Sequence, residues 1–579
     1  MVRQAYERIA APVRGFRKAA YSRISAPVRG LHQAAYLLAA LTLASQALAL
    51  LRDRTFAHTF GAGQVLDLYY AAFRVPDLVF ALVSSLVSAY VLIPLITSMG
   101  QEGTEPVKRL LSESATFLFA VGGVLCIALA VFMPQFLALL YPGLAGSVHQ
   151  AEFVLLARML LVQPILLGLS GVFASVTQVH RRFVLFALSP VLYNLGIIFG
   201  AIALYPVWGL PGIGAGVVIG AVGYLAVHVP VVAGAGVMPR FKMPTFSLMS
   251  SVVQNSVPRS LALGVNSFTM LALTAMASRL GTGDISVFTF AGNLEAVPLS
   301  LIGSSYAVAA FPALSAALSQ EKREEFMKIL STSARHIILW SLVALGLIVV
   351  LRAHIVRIIL GTGAFDWNAT RLTAALLAIC VVGLVVDALE LLFSRALYAA
   401  RQSWRPLAYQ LATAAFTIAL ADFLIMKAPG SGFLAALAGV LKVSDVPHSS
   451  ILLLALANVC GQFFLVFLSL VALRSVAPGL SRTLARPALD GMLAAVAGGI
   501  AAYGVLLASG GLLPLTTLAA VLAQGVAAGL AGLAAAAASL YLVENEEFLI
   551  VANALKRLVR GPDNRVPVLE PSAEEPAQS

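Results

Sequence analysis

Charge is what this chain lacks most. Of its 579 residues only 11% are Asp, Glu, Lys or Arg, whereas 60% are hydrophobic. A soluble domain carries roughly 25% charged residues, so a water-soluble fold is excluded. Cysteine is nearly as scarce. Cys126, Cys380 and Cys460 lie far apart, each inside an apolar run. Without a C-x-x-C pair they read as small buried hydrophobes, not metal or redox groups. There is no G-x-x-x-x-G-K-[ST] loop for ATP, no H-E-x-x-H, and no convincing nucleophile elbow. A nucleotide-driven pump and an intramembrane enzyme are therefore the weaker classes. The alternation expected of a membrane β-barrel is absent as well.

What the chain has instead is a succession of apolar runs. Each is long enough, at about 18 residues or more, to cross a hydrocarbon core of about 30 Å. Reading runs between polar breaks gives an all-α polytopic membrane protein with about fourteen transmembrane helices. The expected spans are 35–51, 67–98, 113–139, 151–178, 184–204, 210–235, 248–280, 285–317, 327–360, 369–399, 406–426, 449–474, 484–508 and 513–543. Basic residues occupy alternate connections, among them Lys108–Arg109, His180–Arg182, Arg401–Arg405 and Arg474–Arg486. That is the positive-inside pattern, and it predicts cytoplasmic N- and C-termini. It also accounts for the net charge of +12 without nucleic acid as a partner.

Two repeats organise the chain. The first is short: AYERIAAPVRGFRKA at 5–19 and AYSRISAPVRGLHQA at 20–34 agree at ten of fifteen positions. This basic segment, 1–34, suits either a helix lying on anionic lipid or a tail that sets topology. The second is architectural. Residues 59–98 and 279–317 both run Gly-x-Gly, an aromatic-small stretch, a first proline, a Ser-Ser step and a second proline. Pro76 and Pro94 answer Pro298 and Pro312, at an offset close to 218 residues. The copies are offset by roughly six helices, so the repeats are parallel. They predict two pseudo-symmetric six-helix lobes, an N-lobe over 35–236 and a C-lobe over 248–475, with a substrate site between them. Two further helices over 484–543 and a cytoplasmic tail, 544–579, fall outside the repeat.

One connection departs from the charge rule. LLRDRTFAHTFGAGQVLDLYYAAFRVPDL, residues 50–78, lies on the predicted outer side yet holds Arg52, Asp53, Arg54, His58, Asp67, Arg74 and Asp77. Asp67, Tyr70, Arg74 and Asp77 share one helical stripe. Ionisable groups at membrane depth are costly and mark pathways. A guanidinium suits a diphosphate because its planar fork donates two hydrogen bonds and never deprotonates. Arg259, Glu295, Asp387, Glu390, Arg395 and Asp422 are further candidates inside apolar helices. Asp387 and Glu390 share a face and, with the isolated Asp422, are candidates for a cation or proton site. Energy would then come from the membrane potential or a Na⁺ or H⁺ gradient, with no bound cofactor or metal.

The stretch at 50–78 resembles the opening signature of the MurJ (MviN) lipid II flippases, which belong to the multidrug/oligosaccharidyl-lipid/polysaccharide (MOP) exporter superfamily. ARMLLVQPILLGLSGVFASVTQVHRRF with SPVLYN (157–194), VPRSLALGVNSF (257–268), GTGAFDWNATRLTAALLA (361–378) and SRALYAARQSWRP (394–406) are similar to further family segments, in order. The resemblance implies a fourteen-helix, two-lobe fold around a cationic cavity. It also implies movement of undecaprenyl-diphosphate-linked peptidoglycan precursor across the bacterial inner membrane, by a monomer among membrane lipids. It carries substrate contact onto Arg52, Asp53, Asp67 and Arg74, and Arg259 is inferred to add a second-lobe charge. This chain departs from the family where arginines are common: Gln46, Phe80, Ala81 and Asn293 replace them, and Ser85 replaces an acid. Another polyprenyl-diphosphate-linked saccharide, or an envelope-assembly scaffold without transport, are the alternatives that these departures raise.

Overall fold

The computed structural model describes residues 31–560 apart from 145, 147–148, 428–431 and 511–516. Residues 1–30 of the duplicated segment and 561–579 of the tail lie outside the described residues. Every regular element among the described residues is helical. Among the described residues thirteen helices are long and apolar enough to cross a membrane. Twelve of them, from Thr104–Leu140 to Leu518–Leu542, coincide with the third to fourteenth spans expected from the sequence.

The first two expected spans come out differently. Leu31–Phe60 is one helix that continues past residue 51, carrying Arg52, Asp53 and Arg54 within it. The expected span 67–98 is broken into Gln64–Leu82, a 3₁₀ turn at Ser84–Val87, and Ala89–Met99. Its repeat partner breaks at the corresponding place, into Asp284–Leu299, a π turn at Ser300–Ser304 and Ser305–Ser319. In both copies the break follows the first proline, because proline offers no N–H to the preceding turn and its ring crowds the carbonyl four residues back. The Ser-Ser steps sit at these breaks. Ser85 Oγ donates to the Ala81 carbonyl, and Ser305 Oγ donates to that of Ser300. In a bilayer such side chains satisfy the backbone that the break exposes.

Helices of the first half pack mainly among themselves. Leu31–Phe60 lies on Phe183–Phe199, which lies on Leu210–Ala226. In the second half Trp367–Ala399 is the central helix, packed by Asp284–Leu299, Arg323–Ile359 and Ile451–Leu473. The halves meet chiefly where Gln64–Leu82 packs on Phe246–Ala277 and Asp284–Leu299. Leu480–Gly510 and Leu518–Leu542 pack on each other and on Arg323–Ile359, outside both halves.

A run of glycines sets the closest helix approach. Gly196 and Gly200 face Gly212, Gly216 and Gly220, and a Cβ added at Gly200 would lie 2.7 Å from the Gly216 Cα. Small residues allow such contact where no hydrophobic drive between helices exists. Gly200→Leu is therefore expected to cost about 2 kcal/mol or more by overpacking, read as a lower melting temperature and yield of detergent-purified protein.

At the end away from the basic connections, Arg371 clamps the segment before Ile451–Leu473. Its guanidinium donates to both Asp445 oxygens at 2.6 Å and to the Lys442 carbonyl. These bonds hold the Asp445 carboxyl down at about 2. The contact is thus present at neutral pH and is lost only as pH falls through that value.

Candidate functional site

A cavity of about 1110 Å³ lies between the halves. Its walls include Arg74 from Gln64–Leu82, Arg259 from Phe246–Ala277, Asn293 and Glu295 from Asp284–Leu299, and Asp387, Glu390 and Arg395 from Trp367–Ala399. Pro94, Leu95, Pro258, Tyr398 and Ser403 line it toward the end bearing the basic connections. Arg74 is held there by its Nε, which donates to Thr274 Oγ1 at 3.0 Å. The remaining guanidinium nitrogens form no other hydrogen bond among the described residues.

The opposite end is shut by contacts between the halves. Asp67, 1% exposed, accepts from the Gly283 amide at 2.5 Å, from the Ser286 amide at 2.9 Å and from Ser286 Oγ at 2.6 Å. Gly283 has φ +92°, and a Cβ there would meet the Ala62 carbonyl oxygen at 2.7 Å. Only glycine therefore lets the turn bring its amide to the carboxylate. Nearby, the Ala364 amide donates to the His58 carbonyl at 2.9 Å.

Alongside the cavity runs a ladder from Leu31–Phe60 to the second half. Gln46 Nε2 donates to Ser300 Oγ at 2.9 Å, and Asn293 Nδ2 donates to Asp53 Oδ2 at 3.0 Å. Arg52 pairs with Asp53 Oδ1 at 2.8 Å and donates to Asn194 Oδ1 at 3.2 Å. Arg54 donates to the Ile358 and Ile359 carbonyls. Gln46 and Asn293, which stand where arginines are common in the family, are thus contacts between the halves.

Of the five residues expected at the substrate, Arg74 and Arg259 line the cavity. Arg52, Asp53 and Asp67 do not. The Arg52–Asp53 pair belongs to the ladder, and both Asp67 oxygens are consumed by the seal, so the helical stripe through residue 67 reaches the cavity only at Arg74. Asp387 and Glu390 face the cavity, but Asp422 is exposed on the outside of Trp404–Lys427 and outside the cavity lining. Neutral groups that sequence reasoning passed over include Thr274, Ser286, Thr413, Gln462 and Ser469. Single hydroxyls and amides in apolar helices carry no spacing signal, although Asn194 did lie within the quoted SPVLYN.

Two helical halves enclosing a cavity lined by arginines and carboxylates and sealed at one end define a multi-pass membrane transporter. The family model described as "Lipid II flippase MurJ" matches residues 56–446. The chain belongs to that family. The "Probable lipid II flippase MurJ" of Rhizobium tropici is 25% identical over 415 residues, covering 69% of this chain and 77% of that protein. The "Lipid II flippase MurJ" of Burkholderia cenocepacia is 26% identical over 360 residues, covering 60% of this chain and 69% of that protein. Among solved structures, a lipid II flippase MurJ in an inward closed conformation superposes with a TM-score of 0.66 at 17% identity, over 91% of this chain and all of that one. An inward-facing MATE family multidrug transporter of the MOP superfamily gives 0.60 at 15% identity, over 76% of this chain and 96% of that one. At these identities the structural likenesses speak for the fold.

Proposed function

We propose that the chain flips lipid II, an undecaprenyl-diphosphate-linked peptidoglycan precursor, across the bacterial cytoplasmic membrane by alternating access. The observation that carries this is the cavity between the halves with Arg74 and Arg259 in its walls. A diphosphate is the anionic group that two guanidinium forks recognise best. The two halves act as lobes that rock about the cavity. The sealed end faces the periplasm and the open end the cytoplasm, as the basic connections argue, so both termini are cytoplasmic. The protein works as a monomer in contact with membrane lipid. The enclosed cavity supports transport over a scaffold role.

The acidic wall and the neutral residues Asn293, Phe80, Ala81 and Ser85 favour a second reading, in which the cargo is another polyprenyl-diphosphate-linked saccharide. Depletion of the native lipid II flippase in a host, with this chain supplied in trans, separates the two. Restored growth supports lipid II. Failure of a well-expressed chain to restore growth points to the other saccharide. Rescue is expected to disappear in the Arg74→Ala/Arg259→Ala double variant, and rescue that survives both changes removes the diphosphate role.

A further inference from the structure

Asp77 is the one carboxylate of the stretch at 50–78 that has no part in cavity lining, ladder or seal. It is half-buried in Gln64–Leu82, one turn beyond Arg74. Among the described residues it accepts no hydrogen bond and forms no ion pair. A carboxylate without a partner is costly inside a membrane helix. Arginine and aspartate three residues apart on a helix can meet, and Arg74 is the only basic residue of Gln64–Leu82. The charge of Arg74 reaches Asp77 through space, yet no bond joins them. Arg52, the other cation of the region, is already held by Asp53 and Asn194.

What keeps Arg74 from Asp77 is a residue of the other half. Arg74 Nε donates to Thr274 Oγ1 at 3.0 Å. Thr274 is 1% exposed and sits one turn before the end of Phe246–Ala277. Its own hydroxyl hydrogen is spent on the Met270 carbonyl at 2.7 Å. A hydroxyl has one hydrogen to give, so this oxygen can only accept from Arg74. The guanidinium is thereby fixed along one edge, and its charge faces the cavity uncompensated.

This arrangement depends on how the halves sit. Gln64–Leu82 packs on Phe246–Ala277, and the turn that follows the latter carries Gly283 of the seal. Opening the sealed end separates these two helices near Thr274. Thr274 then leaves with the second half, whereas Asp77 stays with Arg74 on one helix.

We infer, on the reading of Arg74 as a diphosphate ligand, that Arg74 switches between Thr274 and Asp77 and that this exchange sets the affinity for the headgroup. With Thr274 in place the fork is held out for an anion. With the halves parted, Arg74 turns to Asp77, and a charge-assisted arginine–carboxylate pair forms. That pair neutralises the cation and competes with the headgroup for the same nitrogens. Thr274 is thus a positioning residue for capture, and Asp77 is the internal anion that drives release.

The test titrates the purified full-length protein in detergent with a short-chain polyprenyl diphosphate. Thr274→Val keeps the branched shape and removes the acceptor, and binding is expected to weaken about tenfold or more. Thr274→Ser keeps the acceptor and should bind within about threefold of the wild type. In Thr274→Val/Asp77→Asn the arginine has no carboxylate to turn to, so affinity should return to within about threefold of the wild type. A packing defect at residue 274 would not be repaired by an amide on another helix. If Thr274→Val does not fold, Thr274→Ala with and without Asp77→Asn gives the same comparison. Thr274→Val that binds as the wild type does, or a loss that Asp77→Asn leaves unrepaired, overturns the switch while the diphosphate site stands. A wild type that does not bind the diphosphate removes the proposed function and the switch with it.

Discussion

Arg74→Ala/Arg259→Ala is expected to abolish binding of a polyprenyl diphosphate to the purified protein. The two guanidinium groups come from opposite halves and meet on one cavity. Arg74 is positioned by a single hydrogen bond to Thr274 Oγ1 at 3.0 Å, which leaves the far edge of its fork for the ligand. A hydrogen bond to a charged group contributes about 1.5–3 kcal/mol net, so each single variant should weaken binding about 10- to 100-fold. The double variant should fall below detection. Arg74→Lys should recover only part of the loss, because an ammonium is a point charge without the planar fork. The measurement is a titration with a short-chain polyprenyl diphosphate, with the matching monophosphate as control. Equal affinities in wild type and double variant would show that the headgroup binds elsewhere.

Asp67→Ala should open the sealed end. Three donors from the second half converge on that one carboxylate, from Gly283 and Ser286. Removing it leaves two buried amides without acceptors and takes away the strongest polar tie between the halves. A net loss of about 3 kcal/mol changes the ratio of sealed to open populations by more than about a hundredfold. The consequence is read by thiol labelling of Ala57→Cys, fully buried one turn before Gly61 at the seal, in a background without the three native cysteines. Labelling should accelerate at least about tenfold in Asp67→Ala and stay slow in Asp422→Ala, which alters a carboxylate outside cavity and seal. Unchanged labelling would mean that packing at Gly61 and Gly283 suffices to hold the end shut. Asp67→Asn should be intermediate, since the amide keeps one acceptor oxygen for three donors.

Much of the architecture was legible from residues alone. Long apolar runs can only be membrane helices, because hydrocarbon offers no partner to a bare backbone. The paired Gly-x-Gly, proline and Ser-Ser features announced the repeat. What the repeat did not announce was the helix breaks at Ser84–Val87 and Ser300–Ser304. An apolar run reads the same whether its axis is straight or broken, and prolines are tolerated in many membrane helices. The stretch at 50–78 was recognisable as functional, but its charges proved to have different tasks. Arg74 serves the cavity, Arg52 and Asp53 the ladder, and Asp67 the seal.

The sequence by itself determined the class of the molecule, the order of its helices and the presence of charges inside the membrane. Those follow from composition and local spacing, which need no knowledge of what lies opposite. Tertiary structure decided what each charge does. Asp67 and Asp387 are both carboxylates in apolar helices. One meets two backbone amides and a hydroxyl from the other half, and the other meets acceptors and more carboxylates. A carboxylate becomes a tie between the halves or part of a cavity wall according to the groups facing it, and those groups lie some 80 to more than 200 residues away along the chain, as Ser469 does from Glu390 and Ser286 from Asp67.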